Sequence, residues 1–218
     1  MRKPRRAKAL YEGRWILLGL GVATAAGFFS PIPLLGSVPV ALLFFSLWFF
    51  RDPERTPPED PRLAVSPADG VVTSVEEVNE EQFFKCRMLR ISIFLSVFDV
   101  HVNRTPIEGE VIFTEARGGI YLDARKPEAS LLNESLFWVI GCRESLDRAV
   151  GVKQITGAIA RRIVPWAQLG EFLVRGERFG MIRFGSRTDL YCRLDSKVLV
   201  TIGEKVKGGE TPVARMAD

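Results

Sequence analysis

Residues 89–104 read Leu89-Arg90-Ile91-Ser92-Ile93-Phe94-Leu95-Ser96-Val97-Phe98-Asp99-Val100-His101-Val102-Asn103-Arg104. Through Val97 an apolar side chain stands at every second place, and several are β-branched, as in a strand packed on a core. The end of the stretch turns polar. At period two Asp99, His101 and Asn103 would face one side of an extended chain. Short runs of the same character lie at 71–75, 111–114, 136–140, 150–155, 181–184, 190–194 and 198–202, separated by Gly or charged clusters. That spacing predicts a mostly β, largely antiparallel domain with short helices. Helical periodicity is persuasive only over 166–174.

Two further stretches suggest how the strands are arranged. Ser66-Pro67-Ala68-Asp69-Gly70-Val71-Val72 is a turn followed by a strand. Residues 198–213 alternate strand and turn through Gly203-Glu204 and Gly208-Gly209. Biotinyl and lipoyl carriers of barrel-sandwich fold share this spacing, so a compact β-sandwich or barrel-sandwich is expected. Such carriers display a lysine in a tight hairpin, and none stands at that place here. A carrier role is disfavoured.

The 218 residues are 47% hydrophobic and 26% charged, enough to bury a core. The net charge of +4 is unevenly placed: residues 1–14 carry six basic side chains against Glu12, which leaves the other 204 at −1. A nearly neutral body makes a nucleic-acid surface improbable. Cys86, Cys142 and Cys192 are far apart and odd in number, which excludes a disulfide framework and argues against a metal site. His101 is the one imidazole.

Between Trp15 and Phe50 no residue is charged, and Ser30-Pro31-Ile32-Pro33 divides this run into residues 15–29 and 34–50. Two short apolar helices with an Arg-rich flank predict a hairpin dipping into a bilayer, with both ends cytoplasmic. Two tilted full spans fit nearly as well. A cleaved signal peptide would be shorter, and a buried hairpin used for oligomerisation is a further alternative. The expected organisation is a basic start and anchor over 1–50, a charged, Pro-rich linker over 51–64 and a folded domain over 65–218.

Taken alone, His101 reads as a hydrogen-bonded core histidine, and Gly185-Ser186 as a hairpin turn between strands. Their company changes this. Phe50-Arg51-Asp52-Pro53, Ser66-Pro67-Ala68-Asp69-Gly70, Phe98-Asp99-Val100-His101-Val102-Asn103-Arg104, Gln154-Ile155-Thr156-Gly157 with Ala160-Arg161-Arg162-Ile163, and Gly176 through Ser186 occur in this order. Together they strongly resemble the short form of the phosphatidylserine decarboxylases.

The resemblance implies a proenzyme that cuts itself between Gly185 and Ser186 into a β chain (1–185) and an α chain (186–218). Ser186 Oγ would attack the Gly185 carbonyl, and the resulting ester would eliminate to leave a pyruvoyl group, the cofactor, with neither pyridoxal phosphate nor metal. Its ketone would condense with the substrate amine and accept electron density as CO₂ leaves. His101 is the expected base, held by Asp69, the family's match for the carboxylate; Asp99 is the second candidate, read from its place beside His101. Asn103 and Arg104 are secondary candidates.

Long-form relatives carry a second histidine where Arg104 stands. Short-form relatives often continue Asn133-Glu134 with Arg, where this chain has Ser135. Arg183, Arg187 or Arg104 would then meet the lipid head group. The implied activity is conversion of phosphatidylserine to phosphatidylethanolamine in phospholipid biosynthesis, at the cytoplasmic face of a bacterial cell membrane. An archaetidylserine-type lipid, or a non-catalytic membrane-anchored β module, are the rivals. Oligomeric state stays open, a homo-oligomer included.

Overall fold

The computed structural model describes residues 8–142, 145–158, 162–183 and 185–217, with the Pro33 side chain left aside. Parts of two quoted motifs, Ala160-Arg161 and Phe184, lie outside the described residues. The chain divides into two compact units at Pro53/Glu54.

The first unit is a helical pair, α1 (Lys8–Phe28) and α2 (Ser37–Phe49), joined through a 3₁₀ turn at Pro33–Gly36. The prolines break the helix where the sequence predicts, because Pro removes a backbone donor. Gly27 and Gly36 let the arms close: a Cβ on Gly27 would lie 2.5 Å from Gly36 N. The anchor expectation needs correcting in one respect. The first helix starts at Lys8 and takes in Glu12 and Arg14, while α2 has 13 residues, about 20 Å of helix against a hydrocarbon core of about 30 Å. Among the described residues no helix is long and apolar enough to cross a membrane.

The second unit is mostly β. Its strands are β1 (Leu63–Val65), β2 (Gly70–Glu80), β3 (Cys86–Leu95), β4 (Val102–Arg104), β5 (Gly109–Arg117), β6 (Ser135–Gly141) and β7 (Val150–Ile155). Then follow β8 (Arg162–Pro165), β9 (Phe172–Leu173), β10 (Arg178–Arg183), β11 (Ser186–Cys192), β12 (Lys197–Val198), β13 (Lys205–Val206) and β14 (Pro212–Arg215). A short helix, α3 (Ala129–Leu132), precedes β6.

Eight strands, in the order β13-β2-β3-β11-β7-β6-β5-β9, form one sheet that curls into a half-barrel. Two three-stranded sheets, β4-β10-β8 and β1-β14-β12, complete the unit. Ile91, Ile93 and Leu190 of the large sheet share one core with Phe179 of β10 and Val213 of β14. The other face of the large sheet is covered too, by Met88, Phe137, Val139 and Tyr191 with Phe83 and Phe113. Burial on both faces explains why these strands read as nearly continuous apolar runs.

The expected helix over 166–174 is a pair of turns around the short β9. The amides that a helix would turn inward are taken by the sheet: Trp166 and Ala167 N–H donate to the Phe179 carbonyl, and Gly170 N–H to the Val111 carbonyl. The strand expected over 198–202 shrinks to Lys197–Val198. Residues 54–61, part of the stretch expected as a linker over 51–64, belong to the second unit. Arg175 donates to the Pro58, Asp60 and Leu63 carbonyls, and Arg55 pairs with Asp69 and Glu210.

Candidate active site

Two chain crossings build the site. Strand β3 pairs with β11 (Leu95 opposite Ser186), and β4 pairs with β10 (Val102 opposite Met181). The chain therefore passes twice between the same two sheets, first over 96–101 and again in the link from β10 to β11, where Gly185 lies beside the first crossing. Ile182 N–H donates to the His101 carbonyl at 3.2 Å. Residues far apart in sequence meet here because both strand pairs change sheet at one level.

His101 is buried, and its ring bridges the crossings. Gly185 N–H donates to Nε2 at 3.1 Å, while Nδ1 lies 3.0 Å from the Asp99 carbonyl. A peptide N–H can only donate and a carbonyl can only accept. The proton therefore sits on Nδ1, and the Nε2 lone pair accepts the Gly185 N–H.

The expected common strand face of Asp99, His101 and Asn103 does not form, because β3 ends at Leu95 and a turn follows. The Asp99 carboxylate caps that turn, accepting from Ser96 N–H at 2.8 Å and Ser96 Oγ at 2.7 Å. It is the Asp99 main chain, not its carboxylate, that meets the ring.

Gly185 has φ +65°, in the left-handed region where a side chain is strained. Space is not the constraint, since an added Cβ would meet only Val97 Cγ1 at 3.9 Å. The Gly185 carbonyl oxygen packs on Gly157, where a Cβ would come within 2.4 Å of it. Ser186 opens β11 and is wholly buried, and its hydroxyl has no hydrogen-bond partner among the described residues. A buried orphan hydroxyl costs about 1–3 kcal/mol and calls for an explanation.

The remaining candidates divide. Asp69 accepts from Arg55 Nη2 and from Gly208 N–H, each at 2.8 Å. Burial pushes its carboxyl above the ordinary range, against the pull of Arg55 and the Gly208 amide. Asn103 is a buried staple: its amide donates to Thr188 Oγ1 and the Pro67 carbonyl, and its oxygen accepts from Gln154. Arg104 is buried and donates to the Gly176 carbonyl. Arg187 is engaged in a buried two-bond pair with Asp189, at 2.6 and 2.8 Å. Arg183, half-buried, stands two residues before Gly185.

Residues 42–214 match the family model described as phosphatidylserine decarboxylase. The chain belongs to the phosphatidylserine decarboxylase family. The phosphatidylserine decarboxylase proenzyme of Carboxydothermus hydrogenoformans is 46% identical over 206 residues, covering 94% of this chain and 95% of that protein. The proenzyme of Symbiobacterium thermophilum is 44% identical over 216 residues, covering 99% and 98%.

Within this phosphatidylserine decarboxylase framework, reading the sequence missed three contributors. Gly157 and Gln154 stood inside a quoted motif without a role. Arg55, from the supposed linker, holds Asp69. The signal for Gly157 was there, a glycine directly after a β-branched run, but its partner is 28 residues away in the chain.

Proposed function

We propose that the chain is the uncut precursor of a pyruvoyl-dependent phosphatidylserine decarboxylase. One observation carries the reading: the Gly185 amide hydrogen-bonds His101 Nε2 at 3.1 Å, directly before a buried Ser186 hydroxyl that has no hydrogen-bond partner among the described residues. An orphan hydroxyl is explained if it is a reactant. The left-handed Gly185 conformation and the ring tautomer serve the same step.

For the cut, Nε2 exchanges its bond from Gly185 N–H to the Ser186 hydroxyl and takes that proton. Ser186 Oγ adds to the Gly185 carbonyl carbon, the C–N bond breaks, and the proton passes to the freed Ser186 nitrogen. An ester now joins the chains. Loss of the Ser186 α-proton expels the Gly185 carboxylate and leaves a dehydroalanine, which water converts to a pyruvoyl group with release of ammonia. The Asp99 carbonyl stabilises the charged ring through Nδ1–H, and Asp69, held by Arg55 and the Gly208 amide, is the carboxyl proposed to support it.

The site fits the group it would form. Ser186 supplies its atoms, the β11 backbone holds it opposite Leu95, and His101 stands beside it. Once formed, a pyruvoyl carbonyl provides the electron sink for loss of CO₂. His101 Nε2 returns a proton to the carbon that has lost the carboxylate. Arg183, next to the crossing, is proposed for the head-group phosphate.

The helical pair and the basic residues before it are read as an anchor lying in the interface at the cytoplasmic face, without crossing. The exposed Phe29, Leu34 and Phe44 support that reading. Mass spectrometry tests the chemistry. The wild-type chain should split after Gly185, and Ser186→Ala should stay whole at 24.4 kDa and inactive. Cleavage of the Ser186→Ala chain, or borohydride trapping of substrate on a lysine, would overturn the proposal.

A further inference from the structure

The segment between β5 and β6 walls the site. Ala124 Cβ and the Gly185 carbonyl oxygen face the same spot over Gly157, at 3.4 and 2.4 Å from a Cβ placed there. The segment is firmly held. Asn133 bonds both the N–H and the carbonyl of Leu122, and also the Thr156 carbonyl, all at 2.8 Å. From beneath, buried Lys153 donates to the Ser130 carbonyl.

Its outer side is nevertheless aliphatic and open. Leu131 is 81% exposed, Ile120 51% and Leu132 50%. Ile120 N–H donates to the Leu132 carbonyl at 2.8 Å, so the three belong to one patch. On the other crossing, Phe98 tops the 96–99 turn beside His101 and is 64% exposed. Large apolar side chains gathered around a site on rigid backbone mark a contact surface.

We infer that this rim is a bilayer-contact surface, through which Ile120, Leu131, Leu132 and Phe98 enter the apolar edge of a leaflet. The inference rests on the lipid decarboxylase reading and goes beyond it, because the surface is formed by residues of the β unit. A phospholipid substrate keeps its acyl chains in the leaflet while its head group reaches Ser186 and His101. The mouth of the site must therefore meet the leaflet. A second protein on the rim would close that route, whereas a leaflet leaves it open.

Tyr121 and Lys126 flank the apolar residues, types that sit at head-group level. Over 117–134 the charges balance, with Arg117, Arg125 and Lys126 against Asp123, Glu128 and Glu134. Attachment here comes from apolar insertion, so salt leaves it in place.

The test uses the full-length protein and the double variant Leu131→Glu, Leu132→Glu. Hydrogen exchange over 119–133 is measured with and without phosphatidylcholine–phosphatidylserine vesicles. Decarboxylation is compared between those vesicles and soluble dihexanoyl phosphatidylserine. Vesicles should protect the wild-type segment at low and high salt, and should not protect the variant. The vesicle-to-soluble activity ratio should fall about tenfold or more, given the transfer energies of leucine side chains, with self-cleavage and soluble activity unchanged.

No protection of the wild type, or an unchanged ratio, would overturn the inference. So would a concentration-dependent dimer lost in the variant without vesicle protection, which assigns the rim to a second copy. A wild type inactive on both substrates would sink the decarboxylase reading, while hydrogen exchange would still decide the rim.

Discussion

Gly157 shows how one missing methyl group shapes the site. Its φ is not in the left-handed region, so alanine there meets no backbone strain, only the Gly185 carbonyl 2.4 Å away. Gly157→Ala should destabilise the unit by about 1–3 kcal/mol, because a backbone oxygen must move, and slow self-cleavage at least about tenfold, the effect of misplacing a reacting carbonyl. A time course of the intact band on a gel checks this; wild-type cleavage would remove Gly157 from the mechanism. Lys153 makes a second test. It is buried, lies opposite Asp189 across β7 and β11, and burial pushes its ammonium below the ordinary 10.5. Between that lowered value and 10.5 the unfolded chain binds more protons than the folded one, so stability rises with pH across the interval. Below it Lys153 is charged in both states and its burial penalty is complete. Lys153→Met should abolish this rise, seen as a wild-type-minus-variant difference in melting temperature that shifts in favour of wild type between pH 7 and pH 10.

At the scale of elements, the two crossings between sheets matter most, and Asn103 staples them. Its side chain joins β4 to Thr188 of β11 and Gln154 of β7, and Trp138 Nε1–H completes the buried chain at 2.8 Å from Gln154. Asn103→Ala leaves the Gln154 amide, the Thr188 hydroxyl and the Pro67 carbonyl short of a partner. The expected loss is on the order of 3 kcal/mol, a fall of roughly 9 °C for a unit of this size. Cleavage should slow as well, because His101 and Gly185 are no longer held in register. Calorimetry reads the first effect; a change below about 2 °C would show the network carries little. Strand runs such as 136–140 were legible because burial on both faces favours unbroken apolar sequence. The turn over 166–174 was not, since its helical periodicity was outweighed by amides already bonded to β5 and β10.

For the molecule as a whole, the unit from Glu54 onward holds the residues proposed for cutting and turnover, and the helical pair holds none of them. Deleting residues 1–50 should therefore leave a folded chain that still divides after Gly185 but acts less well on vesicles. Flotation of the truncated protein, with mass analysis of its fragments, checks both halves. A truncated chain that stays whole would mean that the helical unit takes part in maturation. Residues 54–61 should remain in any such truncation, since Arg55 is bound to Asp69 and Glu210.

By itself the sequence determined the β class of the second unit, the break between two apolar helices, and the order of motifs from Phe50 to Ser186. These are local matters of periodicity, proline chemistry and residue identity. Only the tertiary structure decided which groups meet. Period two placed the Asp99 carboxylate beside His101, but the chain turns after Leu95 and offers the ring a carbonyl instead. Arg187 looked available for a head group until its strand neighbour Asp189 was found buried against it. The contact of Gly157 with Gly185, and the pairing of Arg55 with Asp69, join points that no window of sequence contains. They arise because β3–β4 and β10–β11 change sheets at the same level, a property of strand order and register.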